Sequence, residues 1–366
     1  MDSAAAKLHS VYPELGAVRE AASEPVYAVG GAVRDLLLGR DRADLDLVVE
    51  GDAAALAARL GGAATEHGRF GTAKVELDGH EIDIASARSE TYASPGALPE
   101  VTVPAGIEAD LGRRDFTINA MAIPLAGEPR LLDPHGGEAD LAARLLRVLH
   151  ERSFADDPTR AIRAARYAAR FGFELEPETE RLLRATDLQT VSADRREAEL
   201  LRLAGEPTAV EGFRLLAEWG LIELRDEGAE LADAVNDLLG RPAWKALVPR
   251  RRALLDAAAG AAGRERELVE TVPSRPSEGV DLARNRDPIE LALARALGAE
   301  WLDEYVGAWR SVRLEIDGAD LIEAGVPEGP ALGRGLEAAL RAKLDGEIGG
   351  REQELATALE AACRRA

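Results

Sequence analysis

A single cysteine, Cys363, leaves this chain no partner for an intramolecular disulfide and no thiolate cluster for a metal. Aromatic residues are scarce, at 4%, so any core must be filled mainly by Ala, Leu and Val. No apolar run reaches the roughly 18 residues of a membrane-spanning helix before an Arg, Asp or Glu interrupts it. The opening MDSAAAKLHS has neither the basic stretch nor the apolar centre of a secretory signal. A soluble cytoplasmic protein with no membrane contact and no obligate protein partner is expected. Positive charge is also short: 45 Lys and Arg against 66 Asp and Glu give a formal charge of −21. That balance argues against a nucleic-acid partner unless basic residues cluster locally.

What the chain does have is 46% apolar residues in 366, enough for two or three cores. Residues 1–24 read as a helix and turn, and Val26–Val29 as a short strand running into a helix opened by Gly30-Gly31. From Ala43 to Val49 polar and apolar residues alternate with the period of a strand. A helix over 52–60 ends at Gly61-Gly62. Strands at about 72–77 and 80–85 are joined by Asp78-Gly79, a favoured hairpin turn. Residues 86–110, rich in Pro, Ser and Gly, read as a long loop, followed by a short helix at Phe116 or Thr117 and a last strand at Leu131-Leu132. From about 138 the period is helical throughout, with segments at 138–149, 156–171, 177–185, 193–203, 208–219 and 227–239. Ala-rich stretches at 251–262 and 289–310 continue that register. The expected architecture is an α+β head followed by an all-α remainder.

Asp44 and Asp46, two apart on a strand, point their carboxylates the same way. Such a pair is costly unless it is solvated or binds cations, and Mg²⁺ takes carboxylate and phosphate oxygens. A solvated edge strand would give the same pattern. Asp83 is a third candidate if its strand lies beside the first pair. Gly30-Gly31, at a strand-to-helix turn, leaves backbone N–H groups free for phosphate oxygens, and Arg34 follows about one turn later. Asp157, Arg160, Arg163 and Arg166 step by three along a helix with Pro158 in its first turn. A carboxylate beside a guanidinium can meet the Watson–Crick edge of a base; a surface ion ladder would have the same spacing. Arg113-Arg114-Asp115 follows the long loop, where the arginines can serve a nucleotide and Asp115 can cap a helix. His9, His67, His80, His135 and His150 show no zinc spacing.

Together these segments resemble the class II, or bacterial-type, tRNA nucleotidyltransferases and their relatives the bacterial poly(A) polymerases. The matching stretches are Val29–Asp35, Asp44–Val49, Phe70-Gly71-Thr72, Arg113–Ala120, Asp133–Gly137, Asp156–Arg160 with Arg163 and Arg166, and Val191–Glu199. The resemblance implies a polymerase-beta-like nucleotidyltransferase head over 1–137. A helical neck (138–205) would recognise the base, followed by a helical body (206–290) and a tail (291–366) that binds tRNA. It implies Mg²⁺ at Asp44 and Asp46, triphosphate at Gly31 and Arg34, the incoming nucleotide at Arg114, and its sugar near Asp115. Asp157 and Arg160 would read ATP or CTP, with Arg163 and Arg166 in support. The family motif usually begins Glu-Asp where this chain has Asp156-Asp157, a change expected to matter little.

The function expected is addition of C, C and A to the tRNA 3′ end. The alternatives are a CC-adding or A-adding enzyme, a poly(A) polymerase, or an RNA-binding scaffold that has lost its chemistry. In this family the loop containing Pro95–Pro99 adjusts the switch from C to A. A basic run at Arg241, Lys245, Arg250, Arg251 and Arg252, extended by Arg275, Arg284 and Arg286, would meet the tRNA acceptor arm and elbow despite the acidic total.

Overall fold

The computed structural model describes residues 3–40, 44–61, 71–128, 130–261 and 263–363. Gly62, His67 and Phe70 lie outside them. The chain divides into two compact units, Met1–Ile222 and Glu223–Ala366.

The first unit is built on a five-stranded sheet. Its strands are β1 (Val26–Val29), β2 (Leu45–Val49), β3 (Thr72–Leu77) and β4 (His80–Ser86), together with β7 (Ala122–Pro124). Between β4 and β7 the chain makes a separate two-stranded ribbon, β5 (Ser89–Thr91) and β6 (Glu100–Thr102). The large sheet runs β3-β4-β2-β1-β7, with β2 and β4 parallel and the other neighbours antiparallel. The β3–β4 hairpin turns at Asp78 and Gly79, both at positive φ (51° and 78°), as Asp-Gly predicts. Parallel pairing sets Asp46 opposite Asp83, so the two carboxylate positions share one level of the sheet.

Helices α1 (Ser3–Val11) and α2 (Leu15–Ala21) replace the single N-terminal helix expected, and Pro13 falls between them. Helix α3 (Gly31–Leu37) follows β1 directly, and α4 (Ala53–Arg59) is capped by Asp52, which accepts from Ala54 N at 2.9 Å and Ala55 N at 3.3 Å. The 86–110 stretch is not simply loop: beyond the ribbon it forms α5 (Ile107–Gly112). The small core Val29, Val48, Ala87, Ile107, Leu111 and Ala122 holds that helix against the sheet. Polar residues and prolines mask this in the sequence, because only Ile107 and Leu111 mark the buried face. The expected helix at Phe116 is one 3₁₀ turn, Thr117–Asn119, and Leu132 makes only an isolated bridge to Ala122.

Helix α6 (Gly137–Ala143) stops at Arg144, left-handed at φ 59°, and the chain continues as β8 (Leu145–Leu146), paired with β9 (Glu174–Leu175). Next come α7 (Ser153–Asp156), α8 (Thr159–Phe171), α9 (Pro177–Arg184), α10 (Ala193–Ala204) and α11 (Ala209–Glu218). The 156–171 helix is therefore two pieces: Asp157 is extended (φ −137°, ψ 92°), as the residue before a proline prefers. Helix α8 buries Ala161, Ile162, Ala164, Ala165 and Ala168 and packs on α10 and α11. Small side chains let these helices approach closely while the arginines leave from the other face.

The second unit is entirely helical: α12 (Gly228–Leu238), α13 (Pro242–Leu247), α14 (Arg250–Ala259), α15 (Glu265–Glu270), α16 (Pro276–Ala283), α17 (Pro288–Ala296), α18 (Leu302–Gly307), α19 (Gly318–Glu323), α20 (Pro330–Leu344) and α21 (Arg351–Cys363). Helices α12 and α14 pack together, and α20 and α21 form a hairpin around Leu321, Ala339 and Ala358. No helix among the described residues is long and apolar enough to cross a membrane.

Candidate active site

A cleft of about 510 Å³ in the first unit gathers residues from the sheet, α3, the β5–β6 segment, the turn after α5, α8 and α10. Gly30, Gly31, Arg34, Asp46, Arg114, Asp115, Asp157, Arg160, Arg163 and Arg166 all line it. Ten positions singled out from separate segments of the sequence thus meet in one place. Asp44 is exposed just ahead of β2, and Asp83 lines a neighbouring cavity of about 340 Å³ that shares Asp46, Arg113 and Arg114 with the main one.

Burial, reinforced by the neighbouring Asp83 and Asp44 carboxylates and relieved in part by Arg114, pushes the Asp46 carboxyl up to about 6. A group that pays this cost is one that a cation would favour in its charged form. Asp83 faces Lys74 across the hairpin, with Nζ at 3.4 Å, and Lys74 also bonds Glu81. Among the described residues no three His, Cys, Asp or Glu side chains converge tightly enough to hold an ion by themselves. Hard carboxylate oxygens at Asp46, flanked by Asp44 and Asp83, nevertheless fit Mg²⁺, which completes its shell with water and substrate phosphate.

The Gly30–Arg34 side of the cleft is held by buried bonds. Gly30 sits at φ 64°, and a Cβ there would lie 2.7 Å from Arg114 Nη1, so only glycine fits. Arg34 is buried: Nε donates to Asp35 (2.8 Å) and Nη1 to Asn119 Oδ1 (2.7 Å), while its guanidinium stacks on Phe171 at 4.6 Å. Its Nη2 is left beside Gly31. Arg113 and Arg114 both donate to Asp110, whose side chain is fully buried. Burial alone would raise the Asp110 carboxyl, but Arg114 and Arg113 hold it below the usual carboxylate range.

Asp115 lines the cleft with its carboxylate fully engaged. Its oxygens accept from Phe116 N (2.9 Å), Asn119 Nδ2 (3.0 Å) and, at Oδ2, from Arg163 Nε and Nη2 (2.8 and 2.5 Å). Against the upward push of burial, Arg163 and these bonds keep it far below the usual range, so in this geometry it anchors Arg163. Arg160 donates to Ser153 Oγ (3.1 Å) and the Arg113 carbonyl (2.7 Å), joining the helical side of the cleft to the sheet side. Asp157 accepts at Oδ1 from Thr159 N (3.1 Å), Thr159 Oγ1 (2.7 Å) and Arg195 (3.0 Å). Asp156 is occupied locally by Arg152 at 3.0 Å. Arg166 stacks on Tyr167 at 4.5 Å and pairs with Glu206 at 3.3 Å. Two buried atoms of cleft residues, Arg166 Nε and Glu199 Oε2, have no hydrogen-bond partner among the described residues.

The chain as a whole is similar to known proteins. Residues 26–147 match the Poly A polymerase head domain. The CC-adding tRNA nucleotidyltransferase of Deinococcus radiodurans is 36% identical over 91% of this chain and 88% of its own length. The chain belongs to the class II tRNA nucleotidyltransferase and poly(A) polymerase family. An A-adding tRNA nucleotidyltransferase of Halalkalibacterium halodurans is 44% identical over 53% of the chain. The chain spans only 48%, 20% and 20% of the length of three A-adding relatives. Among solved structures, the Thermotoga maritima CCA-adding enzyme complexed with tRNA_CCA aligns with TM-score 0.71 at 29% identity, covering 98% of this chain and 96% of that one. Complexes of CCA-adding enzyme with ATP and with CTP align with TM-score 0.76 each, at 29% and 28% identity. They cover 97% and 100% of this chain and 95% and 97% of those chains.

The supporting acids escaped the sequence reading. Asp110 lies three and four residues before its arginines, a helical spacing that was available once α5 was recognised. Glu90, Asn119 and Arg195 gave no such signal for their bonds to Arg113, Arg34 and Asp157, which lie 23, 85 and 38 residues away.

In the second unit Arg241 pairs with Asp303 (2.9 Å), Arg252 with Asp256 (2.8 Å), and Arg250 bonds Asn236 (2.8 Å). Lys245 and Arg251 are exposed and form no ion pair among the described residues.

Proposed function

We propose that this chain completes the 3′ end of tRNA, adding C, C and A from CTP and ATP without a nucleic-acid template and releasing pyrophosphate. One observation carries this: a single cleft joins the Asp46 carboxylate, the Gly30–Arg34 turn and the Asp157–Arg160 pair. The reaction forms a bond from the tRNA 3′ oxygen to the α-phosphorus and breaks the bond from that phosphorus to the bridging oxygen. Asp46, with Asp44 and Asp83, would hold Mg²⁺. Bound there, the ion supplies charge neutralisation for the triphosphate and a lowered pKa for the attacking hydroxyl.

The protein's own groups do the rest. Gly30, Gly31 and the free end of Arg34 hold the phosphates, and Arg114, steadied by Asp110, contacts the nucleotide. Asp157 accepts from the amino group of C or A through Oδ2, and Arg160, with donors to spare, meets the ring nitrogen or carbonyl. Uracil has no amino group at that edge, and guanine presents a carbonyl there. Arg163 and Arg166 support the nucleotide. The neck over 138–205 would carry base recognition, and the body and tail would bind tRNA through Arg241, Lys245 and Arg250–Arg252.

The A-adding and CC-adding relatives make split specificity a second reading. Three tRNA transcripts, ending at the discriminator base, after one C and after two Cs, separate the readings when given CTP, ATP or both. The proposed enzyme completes all three. Failure to add A after CC would reduce it to CC addition, and action only on the CC-ended transcript to A addition. Long ATP-only tails on unrelated RNA would mark a poly(A) polymerase.

A further inference from the structure

The segment between β5 and β6, Tyr92–Pro99, hydrogen-bonds to the helical side of the cleft at Gly96. Its N–H donates to the Ala155 carbonyl at 3.0 Å, and its own carbonyl accepts from Arg195 Nη1 at 2.9 Å. Gly96 is buried at φ 71°, and a Cβ there would stand 2.5 Å from the Thr190 carbonyl oxygen. Two residues on, Leu98 is 72% exposed, so docking is concentrated at the glycine. The same guanidinium that holds Gly96 donates through Nη2 to Asp157 Oδ1 at 3.0 Å. With Thr159 N and Oγ1 on that oxygen too, Oδ1 is saturated, while Oδ2 accepts no hydrogen bond among the described residues.

We propose that Arg195 is a positioning residue: its one planar fork fixes which oxygen of Asp157 faces the base and ties that orientation to the docking of Tyr92–Pro99 at Gly96. The inference rests on the reading that Asp157 recognises the base. A guanidinium suits this task because its two Nη groups are coplanar and rigidly spaced, so two acceptors held by it are held relative to each other. A lysine ammonium keeps the charge and loses the fork. The pair is 28% and 22% exposed, so its contribution to stability is small and its effect belongs in selection.

The link has two ends that can be cut separately. Arg195→Lys removes the fork, and Gly96→Ala removes the docking through its Cβ and its φ. Each variant, the double variant and Asp157→Ala are compared with wild type for single-turnover incorporation of CTP, ATP, UTP and GTP into tRNA ending before and after CC. Melting temperatures are recorded for all. Each single variant is expected to lower the preference for C and A over U and G by about tenfold, the scale of one lost edge contact. KM for the cognate nucleotide should rise more than kcat falls. The double variant should be no worse than the worse single one, because both cut the same link. Additive losses overturn the coupling, as do wild-type preferences in variants that are merely less stable. If either variant fails to fold, Arg195→Gln, which shortens the side chain and keeps one donor, carries the same comparison against Asp157→Ala. Preferences unchanged in Asp157→Ala would bring down the base-reading role itself. Preferences lost there but kept in Arg195→Lys and Gly96→Ala would bring down only the coupling.

Discussion

In the first unit nine arginines reach one cleft from five stretches of chain, whereas in the second unit the arginines are spread over the helices and meet carboxylates singly or in small groups. Asp110 and Glu90 each take two guanidinium groups in the cleft, aiming several forks toward one space. In the second unit Arg252 meets Asp256 and Arg286 meets Glu290, both one helical turn away, and Arg241 and Arg295 share Asp303. Acids set behind one cleft hold several forks toward a common space, whereas dispersed pairs mostly cancel charge where they stand. The formal charge of −21 therefore says little about where the chain can hold a phosphate.

The sharpest way to break the contrast is at Asp46. Asp46→Asn should lower incorporation of every nucleotide by about 10³-fold or more, the several kcal/mol a metal-held carboxylate supplies. Folding should not suffer. The Asp46 carboxyl is raised to about 6, above its unfolded value near 4, so without divalent cation its charge opposes folding at pH 7. Melting without added metal should thus show an unchanged or higher midpoint. Turnover within tenfold of wild type would refute the metal role.

Asp110 tests the shared-acid arrangement. Its carboxyl is held below the usual range, so it contributes stability that is present above about pH 4 and lost as pH falls through the lowered value. Asp110→Asn should cost about 3 kcal/mol at pH 7, since it strands two partly buried arginines. Melting curves from pH 7 down to pH 2 should show a shallower acid decline in the variant than in wild type. Parallel declines would show that other carboxylates govern the acid limb.

At the template, Asp157→Ala or Arg160→Ala should reduce discrimination among the four nucleotides by about 1–3 kcal/mol while leaving Mg²⁺ dependence in place. Incorporation ratios measure it, and unchanged ratios would return these residues to a structural role.

Much of this site was legible because its chemistry sits in short local patterns. Gly30-Gly31 before a helix, the Asp44/Asp46 alternation and the triplet spacing of Arg160, Arg163 and Arg166 each require only neighbouring residues. The sheet was readable for the same reason, through alternation and the Asp78-Gly79 turn. What escaped depends on long-range packing. Helix α5 carries only Ile107 and Leu111 to announce itself, and Asp157 leaves the helix because Pro158 restricts it, although the spacing to Arg160 suggested one continuous ladder. Both partners of Arg195, and Asn119 as a partner of Arg34, lie 38 or more residues away and become visible only once the chain is folded.

The smallest expected effect concerns the second unit and decides whether local pairing disarms its basic run. Lys245 and Arg251 are exposed and form no ion pair among the described residues, while the charges of Arg241 and Arg252 are met by Asp303 and Asp256. Binding of an RNA backbone releases counterions in proportion to the phosphates neutralised, so each cation that contacts one adds about 0.7–0.9 to the slope of log K against log salt. Lys245→Ala and Arg251→Ala should each lower that slope for tRNA by nearly 1. Arg241→Ala and Arg252→Ala should lower it by less, because each leaves behind an acid that had been compensated and was not contacting phosphate. Folding should change little in any of the four, as expected for exposed side chains. Titration of labelled tRNA at four or five salt concentrations reads all the slopes. Equal losses in both pairs would mean that Arg241 and Arg252 exchange their acids for phosphates on binding, and the contrast between the units would then hold only for the free protein.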